Sequence, residues 1–144
     1  MRFPKDHSSK AKCMKRGFVT SCVLALVLGV NTWAQHPAVG DKAAGITAVY
    51  SEKLNGHKTA NGQIYDSMKL TAAHKTLPFG TIVKITNPKN NRSVVVRIND
   101  RGPMQGDRML DISSAAAARL HIGKNVTHEV SMEVVSVGSG KRVE

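Results

Sequence analysis

The sequence predicts a mainly β domain, a closed barrel of six short strands with one or two short helices. Short β-branched segments recur between turn-forming residues over residues 44–138, as they do in small all-β folds. Aromatic residues make up only 4% of a chain that is 41% hydrophobic, so the core must be aliphatic. Because short strands leave unpaired edges, we expect such a sheet to close on itself.

The first strands follow one another in a regular order. Residues 45–50 (GITAVY) are apolar and β-branched, and residues 65–73 predict a short strand or a turn segment. Residues 81–87 and 93–99 are two further strands, of which the second is the strongest in the chain. The turn-forming residues 88–92 between them predict a β-hairpin.

The one strongly helical segment comes late in the chain. Residues 109–112 predict a brief strand, and the Ser113 side chain can then cap a helix over residues 115–120 (AAAARL). Gly123 is expected to end this helix. The alternating residues 129–137 (EVSMEVVSV) predict the last strand.

Residues 1–34 are predicted to be a secretory signal peptide. A basic stretch precedes an uncharged apolar run over 17–30, and residues 32–34 form a small-x-small end suited to cleavage. Met14 would begin a compact signal peptide, so we hypothesise that it is the true start. Cys22 is interpreted as an ordinary signal-peptide residue and not as a lipid anchor, because most of the apolar run follows it. An uncleaved membrane anchor is the less favoured alternative.

Beyond the signal peptide the chain is expected to divide into three parts. Residues 35–43 are predicted to be a linker, residues 44–138 the barrel domain, and residues 139–144 a C-terminal tail. The signal peptide implies export to the periplasm, with no other membrane segment. The sequence contains no internal repeat.

Charge and cysteine content narrow the class of function. Six of the 21 Lys and Arg and one of the 10 Asp and Glu lie in residues 1–34, so the net charge falls from +11 to +6 in the rest. An exported, mildly basic domain fits an acidic extracytoplasmic polymer better than nucleic acid. The remaining cations are scattered, which by itself usually indicates a solvated surface. Both cysteines, Cys13 and Cys22, leave with the signal peptide, which excludes a disulfide or thiol chemistry. No metal is expected, since the spacing of His57, His74, His121 and His128 does not form a metal-ligand motif.

Asp100 is the first candidate for chemistry. It ends an apolar strand and precedes a Gly-Pro turn. Partial burial would raise the pKa of this carboxyl, and nearby Arg97 or Arg101 would lower it, so it could serve as a general acid. From the residues alone, a turn aspartate bonded to its own backbone is the commoner alternative.

The other candidates also have structural alternatives. His74 could orient a substrate hydroxyl or tune a carboxyl, or be a structural hydrogen-bonding group. Asn61-Gly62 is more typical of a tight turn than of a site. Asp66 and Asp111 are further carboxylates, and Asp111 is interpreted as supporting the start of the helix.

Four segments taken together carry a family resemblance. They are TANGQ-x-Y-D at 59–66, LTAAHKTLPFGT at 70–81, RSVVVRINDRGP at 92–103 and LDIS-x-AAA at 110–117. In this order they resemble the rare lipoprotein A family of septal ring lytic transglycosylases, which have a double-psi β-barrel domain. Expansins and barwin-like domains are more distantly similar. The resemblance covers residues 45–137.

The resemblance implies an activity and a set of site residues. Family enzymes cut peptidoglycan between N-acetylmuramic acid and N-acetylglucosamine, form 1,6-anhydro ends without water, and prefer strands stripped of stem peptides. It implies a monomer with no cofactor, with peptidoglycan as partner and septal cell-division proteins as candidate partners. Asp100 corresponds to the family's catalytic acid, and His74 to its active-site histidine. The substrate-binding residues are then expected to be Tyr50, Asn61, Gln63, Tyr65 and Arg101.

Three segments depart from the family pattern. Gln63 stands where the family has an active-site Glu, and it cannot carry a charge or a proton. Val49-Tyr50-Ser51 replaces the usual Trp-Tyr-Gly, and Met104 replaces a Phe. The alternative function is therefore a non-catalytic, expansin-like barrel that binds glycan.

Overall fold

The computed structural model describes residues 36–143, which contain six strands, one α-helix and one 3₁₀ turn. The elements are β1 (Lys42–Val49), the 3₁₀ turn (Glu52–Leu54), β2 (Thr71–His74), β3 (Ile82–Asn87), β4 (Arg92–Asp100), β5 (Arg108–Ile112), α1 (Ser114–Leu120) and β6 (His128–Ser136). The strands form a closed barrel in the order β1-β5-β2-β4-β3-β6, and β6 pairs again with β1. The predicted six-stranded closed barrel is confirmed.

The sheet is mixed, and its pairing brings distant residues together. β3 and β4 are antiparallel from Ile82↔Arg97 to Asn87↔Arg92, which confirms the predicted hairpin. β2 is parallel to β4 and antiparallel to β5, while β1 is parallel to β5. Because β2 and β4 run in the same direction, their last residues, His74 and Asp100, lie at the same end of the barrel.

The core is aliphatic, as the composition predicts. Alternate residues of β4 point inward: Val94, Val96 and Ile98 are buried, whereas Val95 is 49% exposed. Other strands and α1 contribute the remaining large, fully buried side chains, which include Ile85, Leu110, Ile112 and Leu120.

Local capping sets both ends of α1. The Ser113 hydroxyl accepts a hydrogen bond from the Ala116 N–H at 3.3 Å, so the predicted N-cap is confirmed. The prediction that Gly123 ends the helix is wrong, because His121 already adopts the left-handed conformation with φ 54°. The buried Ile122 then donates its N–H to the Ala117 carbonyl, which closes the helix two residues early.

The segments at the domain boundaries contribute to the barrel. β1 begins at Lys42, which pairs with Glu133, so residues 42–43 of the expected linker are strand. Within residues 65–73, only those from Thr71 onward are strand, and the preceding residues are turns. Residues 139–143 of the expected tail pack on the barrel through backbone hydrogen bonds.

The predicted signal peptide, with the proposed start at Met14 and with Cys22, lies outside the described residues. Within residues 36–143, no helix has the length and apolar character needed to span a membrane.

Replacing Ile98 by alanine tests the assigned core. We expect Ile98→Ala to lower the free energy of unfolding by about 2–5 kcal/mol, because it leaves a cavity between packed strands. The matched control is Val95→Ala on the outer face of the same strand, which should cost less than about 1 kcal/mol. Urea-induced unfolding followed by circular dichroism measures both, and equal losses would contradict the orientation of β4.

Candidate active site

The half-buried carboxylate of Asp100 accepts three hydrogen bonds from separate donors. The Tyr50 hydroxyl donates to Oδ2 at 2.6 Å, and the backbone N–H groups of Ala60 and Arg101 both donate to Oδ1 at 2.8 Å. The bond from Arg101 is the local turn contact considered from the sequence. The other two come from distant segments, so the carboxylate is held in one orientation.

An irregularity in the sheet places Asp100 at the barrel end. The β2–β4 register shifts between Ala72↔Ile98 and Ala73↔Asp100, so Asn99 is an extra residue in β4. A bulge of this kind re-aims the next side chain. The chain leaves the sheet immediately afterwards, at Arg101, and the carboxylate is therefore the last side chain of this strand.

Tyr50 lies directly after β1 and is tied to both the barrel and Asp100. Its N–H donates to the Ile112 carbonyl at 2.9 Å, and its ring centroid lies 4.9 Å from that of Tyr65. Burial, followed by the hydrogen bond and charge of Asp100, raises the pKa of Tyr50 far above its ordinary value. Tyr50 therefore stays a phenol and donates its proton to the carboxylate.

His74 ends β2, one residue beyond the Ala73 that pairs with Asp100. Its Nδ1 accepts hydrogen bonds from the N–H groups of Thr76 at 3.2 Å and Leu77 at 3.1 Å. Burial, and to a lesser extent the charges of Arg101 and Lys75, lowers the pKa of His74. The imidazole is therefore neutral with its proton on Nε2, which is a donor for a ligand.

The geometry separates the two roles expected of His74. Its ring nitrogen bonds backbone N–H groups, and Asp100 takes its hydrogen bonds from Tyr50, Ala60 and Arg101. The two side chains occupy neighbouring strands without a direct hydrogen bond among the described residues. The arrangement therefore does not support direct tuning of Asp100 by a hydrogen bond from His74.

Arg101 holds the loop that follows β2. Its Nη1 donates to the Leu77 carbonyl at 2.9 Å and to the His74 carbonyl at 3.4 Å. Its guanidinium carbon lies 3.8 Å from the centroid of the Phe79 ring, a cation–π contact. These contacts give Arg101 a positioning role beside any contact with substrate.

The Asn61-Gly62 pair is a tight turn, and Gln63 follows it directly. The buried Asn61 side chain accepts hydrogen bonds through Oδ1 from the Thr59 hydroxyl at 2.7 Å and the Gln63 N–H at 3.1 Å. Gln63 in turn accepts through Oε1 from Asn99 Nδ2 at 3.1 Å. Gln63 thus contacts the residue directly before Asp100.

Asn61 and Tyr65, both expected to bind substrate, are only 4% exposed. Asn61 shapes the turn, and Tyr65 packs beneath the Tyr50 ring. Burial raises the pKa of the Tyr65 hydroxyl, which lies against Ser114. The structure therefore gives both residues a supporting role beneath the surface.

Asp111 does not cap the helix, as the sequence suggested, since Ser113 does so. It lies on β5 opposite Ala73, and its Oδ1 is 3.6 Å from Arg108 Nη1. Burial raises the pKa of Asp111, and Arg108 partly offsets this. The inward-facing Leu110 and Ile112 on either side are the signal that could have placed Asp111 on the opposite face of the sheet.

Two features limit the chemistry that this end of the barrel can supply. Among residues 36–143, no group of three or more His, Cys, Asp or Glu side chains is arranged to hold a metal ion. The aromatic rings of the same residues are partly or fully buried, namely Tyr50, Tyr65 and Phe79.

Comparison with known proteins identifies relatives. A family model described as lytic transglycolase matches residues 42–132. The chain is 48% identical over 102 residues to the endolytic peptidoglycan transglycosylase RlpA of Campylobacter jejuni, and 46% identical over 98 residues to that of Vibrio cholerae. These alignments cover 71% and 68% of this chain but 37% of each relative. The chain spans little more than a third of the length of these curated relatives.

Solved structures share the fold at lower identity. Streptomyces papain inhibitor matches with a TM-score of 0.53 and 21% identity, over 68% of this chain and 97% of that protein. A Clavibacter michiganensis expansin in complex with cellohexaose matches with a TM-score of 0.53 and 17% identity, over 67% and 51%. Together with the family match, they confirm the predicted double-psi β-barrel.

The neutral state of His74 predicts a pH-dependent stability. Its pKa lies below the unfolded value of about 6.5, so the unfolded chain takes up a proton first as the pH falls. The contribution of the neutral His74 to the free energy of unfolding is therefore fully present above about pH 6.5 and is lost as the pH falls below that value. We expect His74→Gln to show a shallower acid loss of the free energy of unfolding than the wild type.

Urea titrations at several pH values, combined with an NMR titration of the His74 ring, measure this dependence. A ring that titrates above about 6.5 would contradict the assigned neutral state.

Proposed function

Because the chain belongs to the lytic transglycolase family of double-psi β-barrel proteins, we propose that it is an endolytic peptidoglycan lytic transglycosylase. It cuts glycan strands between N-acetylmuramic acid and N-acetylglucosamine and prefers strands poor in stem peptides. The observation that carries the proposal is the Asp100 carboxylate, fixed by three donors at the end of β4, at the same end of the barrel as the neutral His74.

One carboxyl is sufficient for this reaction. A hydrolytic glycosidase needs two carboxyls, one for the leaving group and one for water or nucleophilic attack. In the proposed reaction, the protonated Asp100 gives its proton to the glycosidic oxygen as the bond to C1 breaks. The C6 hydroxyl of the same muramic acid then attacks C1, and the carboxylate takes up its proton. The cycle ends with Asp100 protonated again and a 1,6-anhydro sugar formed.

The neighbours of Asp100 fit the half of this cycle in which the carboxylate forms. When the carboxylate forms, the Ala60 and Arg101 N–H groups and the Tyr50 hydroxyl already point at its oxygens. Charge-assisted hydrogen bonds of this kind stabilise the anion without reorganisation. In our proposal, the Nε2–H of His74 donates to a substrate oxygen and so orients the sugar.

A second candidate function is a barrel that binds glycan without cutting it. Gln63 favours this alternative, because it occupies the position of a family Glu and cannot exchange a proton. Incubation of the protein with stripped glycan strands separates the two functions. Products with 1,6-anhydro ends support the enzyme, whereas binding without cleavage supports the non-catalytic, glycan-binding barrel.

The proposal also includes an extracytoplasmic location, since peptidoglycan lies outside the cytoplasm. We propose export to the periplasm through the signal peptide, without a lipid anchor, and action as a monomer. Septal cell-division proteins are candidate partners by the same family membership.

Asp100→Asn tests the assigned acid. The Asn side-chain oxygen can keep the two backbone N–H donors, and its amide can donate to the Tyr50 hydroxyl after that hydroxyl rotates. We therefore expect a folded protein that still binds strands but forms anhydro products at least about 10²–10⁴-fold more slowly. Product analysis and a melting curve measure both properties. Activity that survives would show that another group is the acid.

Gln63→Glu tests whether the substituted position lies in the site. A carboxylate oxygen can still accept from Asn99 Nδ2, so the contact between residues 63 and 99 is kept while position 63 gains a charge. We expect anhydro-product formation to rise by about tenfold or more, within the range of general acid–base effects. Gln63→Met, which adds no charge, is the control and should not raise the rate. An unchanged or lower rate in Gln63→Glu would place this position outside the reaction.

A further inference from the structure

We propose that residues 138–143, here called the strap, are a positioning element for the Asp100 carboxylate. This inference rests on the proposed function only for its effect on catalysis. The structural part concerns how the strap holds the loop of residues 59–63, which carries the Ala60 N–H donor.

The strap runs from the end of β6 across two loops at the edge of the site. The Gly138 N–H donates to the Thr81 hydroxyl at 3.0 Å, and the Gly140 N–H donates to the Phe79 carbonyl at 3.0 Å. Further along, the Val143 N–H donates to the Asn61 carbonyl at 2.6 Å. The strap thus bonds first to the loop that Arg101 contacts and then to the turn beside Ala60.

At both ends, the strap lies so close to the backbone of a neighbouring loop that only a glycine fits at the contact. A Cβ at Gly138 would overlap the backbone of residues 79–81, and a Cβ at Gly62 would overlap the Val143 carbonyl oxygen. Gly62 also has a φ of 97°, which other residues rarely adopt. Such close approaches at both ends indicate a specific contact.

The turn at Asn61 is held from two sides. Its N–H donates to the Asn99 carbonyl of β4 at 3.2 Å, while its carbonyl accepts from the Val143 N–H of the strap. The preceding peptide carries the Ala60 N–H that donates to Asp100. On the β4 side, the loop is also held by the bond from Asn99 Nδ2 to Gln63 Oε1 at 3.1 Å. The Val143 bond fixes the turn from the opposite side, and with it the direction of the Ala60 N–H.

Val143→Pro tests the strap, because proline lacks the N–H that bonds to Asn61. Val143→Ala is the matched control, since it keeps that N–H and the Val143 side chain is 52% exposed. Deletion of residues 141–144 is a second variant that removes the same bond without proline. The two point variants are made in the full chain.

The structural readout is the Ala60 amide, followed by NMR. In the wild type and Val143→Ala, we expect its chemical shift to follow the ionisation of Asp100 and its hydrogen exchange to be slow. In Val143→Pro and the deletion, we expect the pH-dependent shift to shrink and exchange to accelerate by tenfold or more, with the melting temperature little changed. An Ala60 amide unchanged in both variants would overturn the strap proposal.

The catalytic readout is the rate of anhydro-product formation. We expect kcat to fall severalfold in Val143→Pro and in the deletion, with KM nearly unchanged, because the strap positions the acid and does not bind the sugar. A KM effect alone would assign the strap to substrate binding and overturn the positioning role. A wild type without activity would refute the proposed function, while the amide measurement would still decide whether the strap orients the Ala60 N–H.

Discussion

The parallel pairing of β2 with β4 is the constraint on which the candidate site depends. Parallel strands end at the same edge of a sheet, so this pairing brings the last residue of each, His74 and Asp100, to one end of the barrel. The bulge at Asn99 then re-aims Asp100. Closure of the barrel through β1 and β6 protects this arrangement, because it removes the free edges at which a short strand could slip.

The donors around Asp100 come from three parts of the chain, and each depends on a different kind of contact. Tyr50 is placed by its bond to β5 and by the Tyr65 ring beneath it. The Ala60 N–H is placed by the turn at Asn61, and the Arg101 N–H by the end of β4. The barrel therefore supplies the strand ends, and the loops outside it complete the surroundings of the carboxylate.

Local signals in the sequence predicted the barrel, but contacts between residues far apart in the chain could not be predicted from it. The alternation of buried and exposed residues along β4 and the Ser113 cap depend on residues close together in the sequence, so both were predictable. The helix end at His121 depends on burial of Ile122, and the bond from Tyr50 to Asp100 joins segments far apart in the chain. The family motifs pointed to Asp100 and His74 as candidates but not to the backbone donor at Ala60, since an N–H leaves no signature in residue type.

Two of the three hydrogen bonds to Asp100 come from the main chain, and this has an evolutionary consequence. Ordinary substitutions at positions 60 and 101 change the side chain and leave the amide in place, so mutational drift erodes this part of the site slowly. The contact of Gln63 with Asn99 is made by a side chain and has no such protection. Substitutions can therefore change the side-chain contacts around this carboxylate while its main-chain hydrogen bonds are kept.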